Sequence, residues 1–393
     1  MNRGLVGLTE ARSSGYGGRS PRHALDEEES ADIFRVEKTS KYEGAPPEMK
    51  KPLVLGGYSV DGDRKIIYDR SQLQFLDKAF LSEEPMDVQL DLTRGLEEAI
   101  DYKGESQESF ENLLRWVLRN QHSLVSETSS QRLSLDILCM RGTLKQICRS
   151  PYTPRDSWAI HVAEFQGSFY IVPAPSEPKA DPRPTGRKPK RELWGNKFEQ
   201  YLKGDPDDIL DPNKEYRSVL KLSVGQFSLL FSPEVDCADP DLYREDHKDM
   251  GAFVLVKALR DETKMNFQFY KQSRLSDWWL DNKLVGIPRI IVGHFTQGGI
   301  VHSIELLKTE ELPALGENEW DPNVYINFLV RFLKFMKQKV MEDTAAVYKF
   351  ERRPMGHIYC SKLKKSDSVF LPLWYTQKLF TKEKTGEENT EAT

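Results

Sequence analysis

The sequence contains no hydrophobic run that approaches the roughly 20 residues of a membrane-spanning helix, so we expect no membrane association. Its four cysteines are scattered and never show the Cys-x-x-Cys spacing of common zinc sites, which argues against a zinc site or a disulfide scaffold. The net charge is only −5, which excludes a protein that attracts nucleic acid through its overall field. Any RNA binding must therefore come from a local basic cleft.

Several common catalytic motifs are also missing. The sequence has no glycine-rich phosphate loop, no Gly-x-Ser-x-Gly and no His-Glu-x-x-His. The histidines are dispersed, and we interpret His161, His294 and His302 as structural residues of strands. The first residues lack the apolar core of a secretory signal, so we expect a reducing intracellular compartment.

Composition divides the chain into one large folded unit and two tails. Residues 1–48 are rich in Gly, Ser, Arg and Glu and have few regularly spaced apolar residues, which is typical of disorder. Residues 382–393 are also rich in charged residues. The hydrophobic content of 38% is enough for a substantial core. We therefore predict a single domain over residues 49–381 with a disordered tail on each side.

Apolar spacing predicts the main elements of this domain. Alternation predicts a strand after Pro52, a hairpin of SWAIHVAEF and SFYIVP around Gln166-Gly167, and a pairing of PRIIVGHF with GIVHSIELL. Helices are expected near residues 110–117, over 133–148, over 192–202, over 264–282, and from Asp321-Pro322, where a cap precedes a first-turn proline. The run VFLPLWY, residues 369–375, is predicted as a final strand or an extended run.

The stretch LLFSPEVDC, residues 229–237, and the following run FVLVK, residues 253–257, carry the most informative pattern. Glu234 and Asp236 follow a continuously apolar segment at a spacing of two, so a strand would turn both carboxylates to one side. If the two runs form adjacent strands, Lys257 joins these acids. Such a group suits a divalent metal that activates water against a phosphodiester, with the lysine steadying the water or the developing charge. The alternative is a strand end with ordinary solvated acids.

Two loops are notable for their charge. The proline-rich segment before residue 190 ends in GRKPKR, residues 186–191, which we interpret as an exposed basic loop. A role in nuclear import or RNA contact is the alternative. The acidic GDPDDILDPN, residues 204–213, lacks the Asp-x-Asp-x-Asp-Gly pattern of a calcium loop and is predicted to be solvated.

Eight runs, in order, resemble the decapping exoribonuclease (DXO) family of RNA 5′-end quality-control hydrolases. They extend from residue 56 to residue 375 and are GGYSVDGDRK, MRGTLKQICRSPY, EFQGSFYI, GNKFEQY, LLFSPEVDC, VLVK, DWW…GIP and FLPLWY. The resemblance implies an α/β (α+β) fold with a PD-(D/E)xK-nuclease-like core. In that fold a mixed sheet and a second sheet are flanked by helices, and the active-site cleft lies between them.

The resemblance also implies an activity. Members of the family hydrolyse incompletely capped, triphosphate or NAD-bearing RNA 5′ ends and degrade RNA in the 5′→3′ direction with divalent metal. We therefore expect two Mg²⁺ ions, with Mn²⁺ as an alternative, and RNA 5′ ends rather than DNA as the ligand. A nuclear 5′–3′ exoribonuclease is an expected partner, and the expected location is the nucleus, with the cytoplasm as a second compartment.

Family motifs assign roles to individual positions. Glu199, Glu234 and Asp236 would bind metal through their carboxylates, and the backbone carbonyl of Val256 would be a further ligand. Lys257 would lie beside the scissile phosphate. Together with these acids it would form the catalytic group.

Further positions would contact substrate. Arg141, in the MRG run, would bind the RNA 5′ phosphate, for which a guanidinium group is well suited. Arg64 and Glu108 align with other substrate-contacting positions.

The sequence also departs from the family pattern. Leu255 stands where the family has a metal-binding Glu, and Asp281 stands where it has a substrate-side Gln. Pro233 replaces a Gly before the glutamate, and Arg217 replaces a smaller residue. Asp281 would restore negative charge if its side chain reached the metals. Losing an outer-shell partner of a metal typically reduces affinity or activity by roughly 10–100-fold, so the loss at Leu255 should reduce them at least as much.

These features lead to two main hypotheses about the function of the protein. The first is a metal-dependent RNA 5′-end hydrolase, with activity reduced by Leu255. The second is a catalytically weakened or inactive relative that acts as an RNA-binding or scaffolding factor. An unrelated α/β protein is a third, more remote reading.

Overall fold

The chain folds around two large β-sheets with helices packed on their faces. The computed structural model describes residues 32–103, 108–127, 129–175, 190–246, 248–261, 269–317, 319–364 and 371–380. The strands in chain order are β1 (Asp32–Phe34), β2 (Leu53–Val60), β3 (Ile66–Ile67), β4 (Met86–Asp91), β5 (Val125–Ser126), β6 (Ser129–Leu133), β7 (Ile137–Leu138), β8 (Trp158–Phe165), β9 (Ser168–Pro173), β10 (Glu215–Val224), β11 (Phe227–Phe231), β12 (Cys237–Ala238), β13 (Phe253–Arg260), β14 (Arg289–Phe295), β15 (Ile300–Lys308), β16 (Val347–Arg352) and β17 (Ile358–Lys362).

Helices connect and cover these strands. The α-helices are α1 (Glu108–Asn120), α2 (Arg141–Arg149), α3 (Trp194–Leu202), α4 (Leu275–Val285), α5 (Leu312–Leu315), α6 (Pro322–Val340) and α7 (Leu373–Thr376). Short 3₁₀ turns cover Thr39–Lys41, Lys78–Phe80, Gln121–Leu124, Lys190–Leu193 and Thr309–Glu311, and a π-helical turn covers Tyr270–Arg274.

The larger sheet has ten strands in the order β1-β17-β16-β8-β9-β7-β11-β10-β2-β3. Neighbouring strands of this sheet are antiparallel, except that β7 is parallel to both β9 and β11. The predicted hairpin β8–β9 is confirmed, with Gln166 at φ +49° and Gly167 at φ +81° in its turn. The strand predicted after Pro52 is β2.

The smaller sheet has five strands in the order β12-β13-β14-β15-β4. Strands β13 and β14 are parallel, and the other pairs are antiparallel. The predicted pairing of PRIIVGHF with GIVHSIELL is confirmed as β14–β15. A separate two-stranded sheet joins β5 to β6.

The two runs that the sequence placed on adjacent strands lie in different sheets. Strand β11 is in the larger sheet and β13 is in the smaller one, so this prediction is wrong. The segment between them crosses from one sheet to the other. Glu234 forms an isolated antiparallel bridge with Arg217 of β10, and β12 starts immediately after Asp236. The acids therefore lie at the seam between the sheets rather than on one strand.

Helices cover both faces of the smaller sheet. On one face, α3 packs through Phe198 in a buried cluster that includes Val254 and Val256. On the other face, Leu255 belongs to the cluster that contains α4. That second cluster also includes buried residues of α2, α6 and the larger sheet, so it joins the two sheets into one core.

Helix α6 follows its sequence pattern closely. Asp321 caps it by accepting a hydrogen bond from the N–H of Asn323 at 2.8 Å. The predicted core stripe is buried and comprises Val324, Phe328, Phe332, Met336 and Val340.

Two predicted elements are wrong. The helix expected over residues 133–148 begins only at Arg141, because Leu133, Leu135 and Ile137 are buried with the two-residue alternation of strands. The final strand is instead the short helix α7, which starts after the extended residue Pro372. Residues 365–370 lie outside the described residues.

Other boundaries shift. The helix expected over residues 264–282 is described from residue 269, continues as α4 to Val285 and ends at Gly286 with φ +86°. Strand β1 pairs with β17, and Phe34 packs on Phe328, so the folded part includes residues that the sequence placed in the tail. Residues 1–31 and 381–393, and residues 186–189 of the basic loop, lie outside the described residues. Within the described ranges, no helix is long and apolar enough to cross a membrane.

Gly293 of β14 lets α3 approach the smaller sheet. A Cβ atom at Gly293 would lie 2.4 Å from Cζ of Phe198, which is much closer than any normal contact. We expect Gly293→Ala to lower the free energy of unfolding by about 1–3 kcal/mol, because the ring must move and α3 must shift with it. Urea denaturation measures the change.

Gly298, in the turn between β14 and β15, is the matched control. Its Cβ would meet only Oγ1 of Thr296 at 3.7 Å, so Gly298→Ala should leave stability nearly unchanged. If the two substitutions changed the free energy of unfolding equally, Gly293 would not be what allows α3 to pack closely on the sheet.

Candidate active site

The three predicted metal-binding acids line one cleft at the seam between the sheets. Glu199 comes from α3, and Glu234 and Asp236 come from the segment that connects β11 to β12. The cleft has a volume of about 190 Å³, and Glu215 of β10 also lines it. Residues 205 and 208–212 of the acidic loop, predicted to be simply solvated, form another part of its wall. The cleft therefore concentrates negative charge.

Asp236 lies at an open edge of β13. Within the described residues, β12 pairs with β13 at Phe253 and Val254 only. Just beyond this ladder, Oδ2 of Asp236 accepts the backbone N–H of Val256 at 2.7 Å. The N–H and C=O groups of one strand residue point to the same side, so the carbonyl of Val256 faces the Asp236 edge. This is the orientation that the predicted backbone ligand requires.

Glu199 has a lysine partner at the C-cap of its own helix. Nζ of Lys203, one turn later, is 3.1 Å from Oε2 of Glu199. Burial raises the pKa of Glu199; Lys203 opposes this, and the negative charge of Asp236 adds to it. The positive charge of Lys257 also acts to lower this pKa, which places Lys257 near the acids.

A buried ion network backs one wall of the cleft. Arg217 binds Glu215 through two contacts, Nε to Oε1 at 2.8 Å and Nη2 to Oε2 at 3.1 Å. Nη2 of Arg64 lies 3.1 Å from the same carboxylate, and its Nη1 donates to the carbonyl of Asn213 at 3.0 Å. Arg64 was predicted to contact substrate, but it is only 6% exposed and is held in this network.

Glu234 is an acid of the cleft whose pKa is strongly raised. Burial raises the pKa of Glu234 to about 8, with the charge of Glu215 adding to the effect and Arg217 opposing it. At neutral pH and without a cation, most molecules would therefore carry a proton on this carboxylate.

A group of cations lies next to Lys257. Nζ of Lys145 donates to Oδ2 of Asp281 at 2.7 Å, and Nη1 of Arg141 is 3.8 Å from Oδ1. Burial favours the neutral form of Asp281, but the combined charges of Arg141, Lys145 and Lys257 lower its pKa. Asp281 is therefore an anion held by the cations of α2.

The remaining predicted positions are Leu255 and Glu108. Leu255 is only 4% exposed and is buried in the apolar cluster that contains α4, although it shares a strand face with Lys257. Glu108 is the first residue of α1, and its side chain lies outside the described residues.

The donor chemistry of the cleft suits a hard divalent cation, because carboxylate and carbonyl oxygens are its preferred ligands. Burial is the main cause of the raised pKa values of Glu199 and Glu234, and neighbouring carboxylates add to it, so a bound cation would favour the ionised form of both residues. As the side chains are placed, however, no three His, Cys, Asp or Glu residues among those described stand close enough together to enclose an ion.

Sequence reasoning missed three charged residues of the site, which are Lys203, Lys145 and Glu215. Lys203 follows Glu199 by four residues, and Lys145 follows Arg141 by four, which is the spacing of neighbours on a helix face. Glu215 and Arg217 alternate on β10 and so share a face. Each spacing was a readable signal.

Comparisons with known proteins agree with this architecture. A family model described as "RAI1 like PD-(D/E)XK nuclease" matches residues 50–376. The decapping and exoribonuclease protein of Bos taurus is 29% identical over 354 residues, which cover 86% of this chain and 87% of that protein.

Solved structures have the same fold. Rai1 of S. pombe in complex with 3′-FADP superposes with a TM-score of 0.68 at 20% identity, over 85% of this chain and 100% of that one. Rai1 of Candida albicans in complex with pU5-Mn²⁺ superposes with a TM-score of 0.69 at 19% identity, over 86% of this chain and 94% of that one. The predicted fold class and decapping-nuclease membership are confirmed: the chain belongs to the RAI1-like PD-(D/E)XK nuclease family.

Proposed function

We propose that this chain binds RNA 5′ ends in the seam cleft and hydrolyses them with a divalent cation, then removes nucleotides in the 5′→3′ direction. One observation carries the proposal. Asp236 of the cleft accepts the backbone N–H of Val256 at 2.7 Å, so Lys257, the next residue of β13, directly follows a residue that is hydrogen-bonded to the acid cleft. On its other side, the charge of Lys257 adds to those of Arg141 and Lys145 in lowering the pKa of Asp281. Acids that suit metal and cations that suit phosphate thus meet at one residue.

The acid side would hold the cation. Glu199, Glu234, Asp236 and the carbonyl of Val256 offer oxygen donors, and Mg²⁺ is the expected ion, with Mn²⁺ as an alternative. A bound cation would activate water and neutralise charge on the phosphate. The Candida albicans relative, crystallised with pU5-Mn²⁺, supports both a cation and an RNA ligand.

The cation side would hold the RNA. Arg141 is 28% exposed at its side chain, which leaves its guanidinium accessible to a 5′ phosphate. Lys257 would then lie beside the scissile phosphate and offset the charge that develops there. Arg64 would act indirectly, by fixing Glu215 in the wall of the cleft.

The second candidate function is an RNA-binding factor with little or no catalysis. The observation that favours it is the apolar environment of Leu255, where the family pattern has a metal-binding Glu. Without that carboxylate, a second ion would be held weakly. We therefore propose that the chain has reduced activity.

The raised pKa of Glu234 gives a pH-dependent test of cation binding. Because the pKa of Glu234 in the fold is about 8, above the ordinary value of 4.5, the unfolded chain loses this proton first as pH rises. The Glu234 contribution to stability is thus complete below about pH 4.5 and is lost by about pH 8. Saturating Mg²⁺ should restore about 1–3 kcal/mol at pH 8 and much less at pH 5, where protons compete with the ion.

Thermal unfolding with EDTA and with MgCl₂ at both pH values measures this effect. Glu234→Gln is the matched control, because it keeps the shape and cannot ionise. We expect the variant to lose both the decline with pH and most of the Mg²⁺ stabilisation. If Mg²⁺ stabilised the variant and the unmodified protein equally, the ion would be bound elsewhere.

Nuclease activity tests the function itself. Purified protein with Mg²⁺ or Mn²⁺ is given RNAs with a 5′ triphosphate, an unmethylated cap or a 5′ monophosphate, and products are resolved by length. We expect weak cleavage that is stronger with Mn²⁺. Leu255→Glu should raise it about 10-fold by restoring a carboxylate ligand.

Two further variants control this result. Leu255→Gln introduces the same buried polar volume without charge and should not raise activity. Glu199→Gln in the Leu255→Glu background should remove the gain, which excludes a contaminating nuclease. A folded Leu255→Glu protein that cleaves none of the RNAs would overturn the hydrolase proposal in favour of the RNA-binding factor.

A further inference from the structure

Asp281 occupies the cations that the proposed function assigns to the RNA 5′ phosphate. Its two oxygens face different partners, with Oδ2 at 2.7 Å from Nζ of Lys145 and Oδ1 at 3.8 Å from Nη1 of Arg141. The side chain of Asp281 is only 9% exposed, so these contacts are poorly screened by water. A carboxylate and a phosphate present the same oxygen-lined negative face to a guanidinium group.

The contact between Lys145 and Asp281 also limits the access of a phosphate to these cations. Lys145 is 20% exposed at its side chain and donates directly to Asp281, so a phosphate must displace or share this hydrogen bond. A neutral hydroxyl at the RNA 5′ end requires no such exchange. The site therefore treats the two kinds of 5′ end differently.

We propose that Asp281 is a specificity-determining residue that acts as an internal competitor for the 5′ phosphate and shifts the preference of the cleft towards 5′ ends with less negative charge. The inference rests on the proposed RNA-binding function. Asp281 acts through Arg141 and Lys145, and so it is a positioning residue. The glutamine that the family pattern carries at this position would leave both cations available to phosphate.

The fold supplies a matched control one turn earlier on α4. Asp277 forms the equivalent ion pair with Arg149 of α2, with Oδ1 at 2.8 Å from Nε. Asp277 and Asp281 thus join the same two helices, but only Asp281 forms ion pairs with Arg141 and Lys145 in the contacts described, whereas Asp277 acts on Lys145 through its charge alone. Asp277→Asn therefore removes a charge of the same sign from the same helix and leaves both ion pairs of Asp281 in place.

The test measures binding of two short RNAs that carry a 3′ fluorophore and differ only in a 5′ monophosphate or a 5′ hydroxyl. Fluorescence anisotropy is recorded with EDTA and with Ca²⁺, and gel analysis confirms that the RNA is intact. We expect Asp281→Asn to increase the affinity for the phosphorylated RNA, relative to the hydroxyl RNA, by about 5–10-fold. Asp277→Asn should change this ratio by less than about twofold.

Two additional variants make the result specific. In Arg141→Ala with Asp281→Asn, most of the gained preference should disappear, because the guanidinium group that it frees is gone. Asp281→Gln removes the charge in a second way and should reproduce the gain if Asp281→Asn does not fold.

Other outcomes would overturn the inference. An unchanged ratio in Asp281→Asn, or an equal change in Asp277→Asn, would show that Asp281 does not select the 5′ end, while binding of the hydroxyl RNA would leave the proposed function intact. If neither RNA bound to any of the proteins, the proposed function would fall and the inference with it.

Discussion

Burial of carboxylates at the seam between two sheets is the constraint on which this structure depends. A buried carboxylate must be paired, hydrogen-bonded or protonated, because an isolated charge in a protein interior is very unfavourable. Glu215 satisfies this requirement through Arg217, and Glu199 does so through Lys203. Glu234 does so with a proton at neutral pH, as its raised pKa indicates. Each of these buried carboxylates thus has a partner or a proton in the absence of a cation, and a cation must compete with that partner or proton.

Local pattern was enough to predict elements whose contacts are local. The β8–β9 hairpin follows from alternation around Gln166-Gly167, and α6 follows from its Asp321 cap and its apolar stripe. The placement of β11 and β13 in different sheets could not be predicted in this way, because strand partners are chosen by non-local packing. The apolar spacing of residues 133–138 also led to a wrong prediction. These residues were assigned to a helix, although the buried ones alternate as in strands.

The candidate site, like the fold, could be predicted from the sequence only in part. The two-residue spacing of Glu234 and Asp236 correctly brought both into one cleft, although the residues lie in a connecting segment and not in a strand. What the sequence could not show was competition between neighbours. Arg64 has the residue type of a phosphate contact, yet its distances to Glu215 and Asn213 place it inside the fold. Such a choice depends on which partner is nearest in three dimensions.

Strand β7 has a consequence for how the chain folds. Its two residues, Ile137 and Leu138, are parallel to β9 on one side and to β11 on the other. Each neighbour closes a hairpin with the strand before it, and hairpins form within microseconds because their contacts are local. The two hairpins are separated by residues 174–214, so they can join only when β7 enters between them. The step that limits the rate of folding should therefore be the late pairing of β7 with β9 and β11, rather than formation of the helices.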